Sequence, residues 1–99
     1  MLPDTLDNVI STLGITQVSE IKVDVEGAEV TVIRGAAQTI AKFGPRLVIE
    51  AHGHGNLISL RLLLKSMQMR IVSEIQASTR HDETRWFMLA VGSSPLVTQ

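Results

Sequence analysis

Asp24 and Glu26 stand two residues apart in the run from Ile21 to Ala36, IKVDVEGAEVTVIRGA, and Glu50 and His52 stand two apart in the later run LVIEAH. Residues at this spacing on an extended strand share one face, with backbones about 6.6 Å apart. Carboxylates paired in this way can orient a polar ligand, exchange a proton or hold a cation. If the two runs are adjacent parallel strands, the four groups converge on one crevice at the carboxyl ends, where open α/β sheets place their ligands. His52-Gly53-His54 could bring two imidazoles near a metal, with Asp24 or Glu50 supplying oxygen. Structural roles are equally open to these residues. Glu26 can cap the amides that follow it, Asp24 can pair with Lys22, and Glu29 can favour a helix N-terminus. Paired histidines in a glycine loop commonly face solvent, and no metal site is assigned.

Other chemistries leave no trace. The sequence contains no G-x-G-x-x-G, no G-x-x-x-x-G-K-[ST] and no nucleophile elbow. His81, beside Asp82 and Glu83, reads as part of a solvated turn. Trp86, inside the apolar run WFMLAV, reads as core.

The elements that would position the polar groups follow from periodicity. Ile21, Val23 and Val25 alternate with Lys22, Asp24 and Glu26, the period of a half-buried strand. After Gly27 the apolar residues Val32, Ile33, Ala36, Ala37, Ile40 and Phe43 recur at helical spacing, which predicts one helix of about four turns. Gly35 lies inside it, where glycine costs about 1 kcal/mol unless a close backbone approach requires it. Gly44-Pro45 stops this helix. Upstream, Thr5 caps a helix carrying Leu6, Val9, Ile10 and Leu13, and Gly14 ends it. Leu47, Val48 and Ile49 form a continuous apolar run, as in a strand covered on both faces. The run enters a loop from Glu50 to Gly55. Asn56 caps a further helix with Leu57, Leu60, Leu63, Leu64 and Met67 inward. Met69 to Gln76 reads as an edge strand, ASTRHDET as a polar loop, and Trp86 to Val91 as an interior strand.

Strand, helix, strand, helix, strand with short connections implies right-handed crossovers and parallel strands. The final strand returns by a hairpin-like loop and is antiparallel. An interior last strand beside an edge third strand gives the spatial order 1-2-4-3. The first strand is then an edge with nothing on its outer side, so further sheet or a partner is expected there.

Composition narrows the class. Ninety-nine residues make one domain, 1–99, with 93–99 expected as a flexible tail. An apolar fraction of 44% and a charged fraction of 19% describe a folded globular chain rather than a disordered one. The absence of Cys excludes disulfides and thiolate metal sites and favours a reducing, cytoplasmic setting. A formal charge of -1 without a basic block argues against nucleic acid, and no apolar segment has the length and composition of a membrane span.

The runs IKVDVEGAE from Ile21 to Glu29, Thr5-Leu6-Asp7, Arg34-Gly35-Ala36 and Pro45 to Glu50 together resemble the FkbM-type methyltransferases. The resemblance implies a Rossmann-like S-adenosylmethionine-dependent methyltransferase sheet, of which this chain would supply the fourth to seventh strands. The family's glycine-rich turn and the acidic residue after its second strand have no counterpart here. The chain therefore looks like the C-terminal half of such a domain, and no S-adenosylmethionine binding or turnover is expected of it alone. In the whole enzyme the family implies methyl transfer to a hydroxyl oxygen of a small-molecule or glycan-like acceptor. Asp24 would sit by the cofactor's transferring methyl group, Glu26 and Glu50 would position the acceptor, and His52 would be the base.

Two further readings stand beside this one. The chain could be an α/β interaction module that pairs with a copy of itself or another chain through its open strand edge. It could instead be a metal-dependent hydrolase using Asp24, Glu26, Glu50 and His52.

Overall fold

The computed structural model of the chain describes residues 4–80 and 83–92. The expected tail at 93–99 and the pair His81-Asp82 lie outside the described residues. The elements run α1 (Leu6–Leu13), β1 (Glu20–Val23), α2 (Glu29–Arg34), α3 (Ala37–Phe43), β2 (Arg46–His52), α4 (His54–Ser66), β3 (Met69–Arg80) and β4 (Glu83–Gly92). One four-stranded sheet has the order β1-β2-β4-β3. β1 and β2 are parallel, whereas β4 is antiparallel to both of its neighbours, β2 and β3. Three strands therefore share one direction and the last opposes them, as periodicity and connection lengths predict.

The helices cover one face of this sheet. Leu47, Ile49 and Ala51 of β2 and Met88 and Ala90 of β4 are fully buried beneath Ile33, Leu60 and Leu64 of α2 and α4. Each large aliphatic side chain buried in this way contributes about 1.5 to 3 kcal/mol. On the other face Phe87 is 48% exposed and Ile75 62%. A thickness of only 19 Å fits one sheet and one helical layer. This corrects the expectation that β2 is covered on both sides. Its continuous apolar run Leu47-Val48-Ile49 is split in the fold, with Val48 half-buried on the open side.

The single long helix expected after Gly27 is two helices, broken at Gly35-Ala36. The cause lies about thirty residues upstream. Asp7 accepts hydrogen bonds from the Gln38 and Thr39 amides (2.9 and 2.8 Å) and from the Thr39 hydroxyl (2.7 Å). It thereby caps α3 from outside, and its own amide donates to the Gly35 carbonyl at 2.9 Å. Gly35 does have a packing reason, because a Cβ there would lie 3.2 Å from both Cβ and Cγ2 of Thr5.

α1 begins and ends as expected. The Thr5 hydroxyl accepts from the Asn8 amide at 3.2 Å, and Gly14 closes the helix in the left-handed conformation at φ 66°. α4 starts at His54 rather than at a cap on Asn56, because Gly53, at φ 87°, turns the chain straight from β2 into the helix. The stretch expected as the loop Glu50 to Gly55 thus contains the end of a strand and the start of a helix. The β3–β4 hairpin is also longer than the apolar patterns indicate, and most of ASTRHDET pairs across it, with Ser78 opposite Arg85 and Thr79 opposite Thr84. Backbone pairing between strands requires no apolar alternation.

Candidate functional site

β1 stops at Val23, and the chain then turns sharply instead of continuing as a strand to Glu26. The Val25 carbonyl accepts from the Ala28 amide at 3.2 Å, while Glu26 (φ 40°) and Gly27 (φ 98°) take positive φ. This corrects the expectation that Asp24 and Glu26 share a strand face. Glu26 is exposed, and no side-chain partner is recorded for it among the described residues.

The turn delivers Glu29 to the first position of α2, where it has no exposed surface. One of its oxygens, Oε2, accepts from the Gly27 amide at 2.8 Å and lies 3.0 Å from His52 Nδ1. The other, Oε1, accepts from the Asn56 side-chain amide of α4. A carboxylate this deep is held only because donors from the turn, the neighbouring strand end and the next helix surround it. In the sequence Glu29 reads only as a charge favouring a helix N-terminus. A signal existed, since Glu29 precedes the buried Ile33 by four residues and so lies on the inward stripe of its helix.

His52 ends β2 with both ring nitrogens near carboxylates. Nδ1 faces Glu29, and Nε2 lies 3.3 Å from Glu50 Oε2 and 4.0 Å from Asp24 Oδ1. Glu50 Oε2 also receives Arg85 Nη1 at 3.2 Å from the adjacent strand. Asp24 is about half exposed, whereas the side chains of Glu50 and His52 are largely covered. Ligand-type atoms of Asp24, Glu50 and His52 all lie within 4.8 Å of one another. Three of the four residues singled out from the sequence are thus brought together, and Glu26 stands apart.

His54 does not join them. His54 is exposed, and its ring packs edge-on against Trp86, with centroids 4.8 Å apart and planes at 75°. Trp86 is core, as expected. A groove of about 360 Å³ lies elsewhere, between α1 and α3, and is lined by Ile10, Ile15, Thr39 and Phe43. The candidate site is an open cluster at the sheet's edge, formed where two parallel strands end.

The family model for the Methyltransferase FkbM domain matches residues 4–93. The chain belongs to this family. The matched span contains every element described above and the whole Asp24–Glu50–His52 cluster. No curated protein and no solved structure matches the chain. Among the described residues, no helix of this FkbM-family chain is long and apolar enough to cross a membrane.

Proposed function

We propose that this chain is the acceptor-side half of an S-adenosylmethionine-dependent methyltransferase that methylates a hydroxyl oxygen on a small-molecule or glycan-like acceptor. The observation that carries the reading is the convergence of Asp24, Glu50 and His52 at the carboxyl ends of two parallel strands in an FkbM-family chain. Such ends are where open α/β sheets bind ligands.

The residues present fit only part of the cofactor. The half-exposed carboxylate of Asp24 suits the positive charge of a sulfonium. Nothing in the sequence supplies a glycine-rich turn for the methionine and ribose portions. S-adenosylmethionine, when bound, supplies the methyl group. We assign roles to this chain's own residues by their positions. Glu50, fixed by Arg85, orients the acceptor within the cluster, and Glu26, outside the cluster on the exposed turn, would contact the acceptor's outer part. His52 accepts the hydroxyl proton at Nε2, while Glu29 holds its other nitrogen and so fixes the ring's orientation. Holding the reactants in line accounts for much of such a reaction's acceleration.

Two measurements test the reading. Calorimetry of the 99-residue chain with S-adenosylmethionine is expected to give no heat of binding, and micromolar affinity would refute the division of labour. In an enzyme carrying both halves, Asp24→Ala and His52→Gln are expected to abolish most methylation while the fold persists. Full activity in either variant would remove that residue from the mechanism.

A further inference from the structure

The His52 ring is bracketed by acceptors. A neutral imidazole carries one N–H, and with that hydrogen on Nδ1 facing buried Glu29, Nε2 presents a lone pair to the carboxylates of Glu50 and Asp24. In that tautomer the Nε2 lone pair and the oxygens of Asp24 and Glu50 can face one shared point, beside which Arg85 Nη1 lies 3.2 Å from Glu50 Oε2. Asp24 Oδ1 lies 4.0 Å from His52 Nε2, and among the described residues this is its one ion-pair contact.

The spacing suits a metal ion. First-row divalent ions bind nitrogen and oxygen at about 2.0 to 2.2 Å, so ligand atoms sharing one ion lie about 3 to 4.4 Å apart. The separations of 3.3 and 4.0 Å from His52 Nε2 fall within that range. Asp24, on the exposed turn, can make the remaining adjustment. The contact between Glu29 and Nδ1 is the support that metal-bound histidines commonly carry, a carboxylate behind the ring that fixes its tautomer. One nitrogen and two carboxylate ligands favour Mn²⁺ or Zn²⁺ over Ca²⁺, which prefers oxygen alone.

We propose that Asp24 Oδ1, Glu50 Oε2 and His52 Nε2 form a seat for one divalent transition-metal ion at the carboxyl ends of β1 and β2. Three protein ligands leave coordination positions open, the condition for binding a further oxygen ligand rather than for a purely structural site. The seat rests on geometry alone and does not require the methyltransferase reading. Where both hold, His52 Nε2 serves either as ligand or as proton acceptor, and a bound ion would replace it in activating the hydroxyl.

The test is titration of the 99-residue chain with MnCl₂, followed by electron paramagnetic resonance of free Mn²⁺ and by broadening of amide signals, with ZnCl₂ calorimetry in parallel. The expected result is one ion per chain, with signals near Asp24 and His52 broadened first. Asp24→Asn should weaken binding by about tenfold or more, and loss of the supporting carboxylate in Glu29→Gln by about 10- to 100-fold. Because Glu29 is buried, the exposed Asp24 provides the deciding variant, with amide spectra verifying its fold. Absence of saturable binding at millimolar ion, unchanged affinity in Asp24→Asn, or broadening centred elsewhere would each overturn the proposal. None of these readouts involves methyl transfer, so failure of the seat and failure of the methyltransferase reading are separable.

Discussion

Oε2 of Glu29 lies 3.0 Å from Nδ1 of His52, and the Glu29 side chain has no exposed surface. This contact ties the first turn of α2 to the end of β2, while Asn56 adds the first turn of α4 to the same carboxylate. The anchor beneath the candidate site is therefore also a fastening for the fold.

Truncation of Glu29 should be among the most damaging single changes in the chain. Glu29→Ala leaves the Gly27 amide and the Asn56 side chain without their acceptor, at about 1 to 3 kcal/mol for each buried group that stays unpaired. A net loss of about 2 to 4 kcal/mol is expected from urea unfolding. Glu29→Gln retains one carbonyl oxygen and should lose less. Equal unfolding midpoints for the alanine variant and the native chain would contradict the anchoring role.

Gly35 makes a different kind of prediction, because its φ of -72° suits any residue and only space is at issue. A methyl group there meets the Thr5 side chain at 3.2 Å, so Gly35→Ala should separate α1 from the α2–α3 break and cost about 1 to 3 kcal/mol. Thr5→Ser retains the capping hydroxyl and removes Cγ2. Combined with Gly35→Ala it should recover part of the loss, a coupling that a double-mutant cycle in urea measures.

The sheet was legible in the sequence because strand type and connection length act together. Alternation at Ile21–Val23, the apolar run at Leu47–Ile49 and the short return before Trp86 admit few arrangements, and the order β1-β2-β4-β3 is one of them. The break at Gly35-Ala36 was not legible, since the apolar stripe passes through it unbroken and its cause is Asp7, about thirty residues away. Glu26 misled for a related reason. Its place in an alternating pattern says strand, but β1 ends at Val23, where its pairing with β2 stops. The site was half legible: Asp24, Glu50 and His52 declared themselves by type and position, whereas Glu29 looked like an ordinary charge at a helix start.

Glu26 is exposed yet holds φ at 40°, a conformation that costs a non-glycine residue about 1 kcal/mol. Glu26→Gly should therefore stabilise the chain by about 0.5 to 1 kcal/mol, read as a higher thermal midpoint. The strain has a purpose if the side chain is used. In a methyltransferase carrying both halves, the same substitution should raise KM for the acceptor while raising the melting temperature. A stabilised variant with unchanged KM would show that Glu26 only shapes the turn.

Asp7 sets the acid side of the stability profile. Burial works to raise its carboxyl pKa, but hydrogen bonds from the Thr39 hydroxyl and the Gln38 and Thr39 amides outweigh that and hold it below its ordinary value of 3.8. The ionised form is thus favoured by folding. Its contribution is fully present above the ordinary value and is lost as pH falls through the lower, folded-state one. Asp7→Asn should cost about 1 kcal/mol at neutral pH, near the low end for a cap because solvent screens the site. The gap between native and variant chains should then close as urea unfolding is repeated towards about pH 2. A constant gap would mean that the cap acts through shape rather than charge, and would detach the break at Gly35-Ala36 from the ionisation of Asp7.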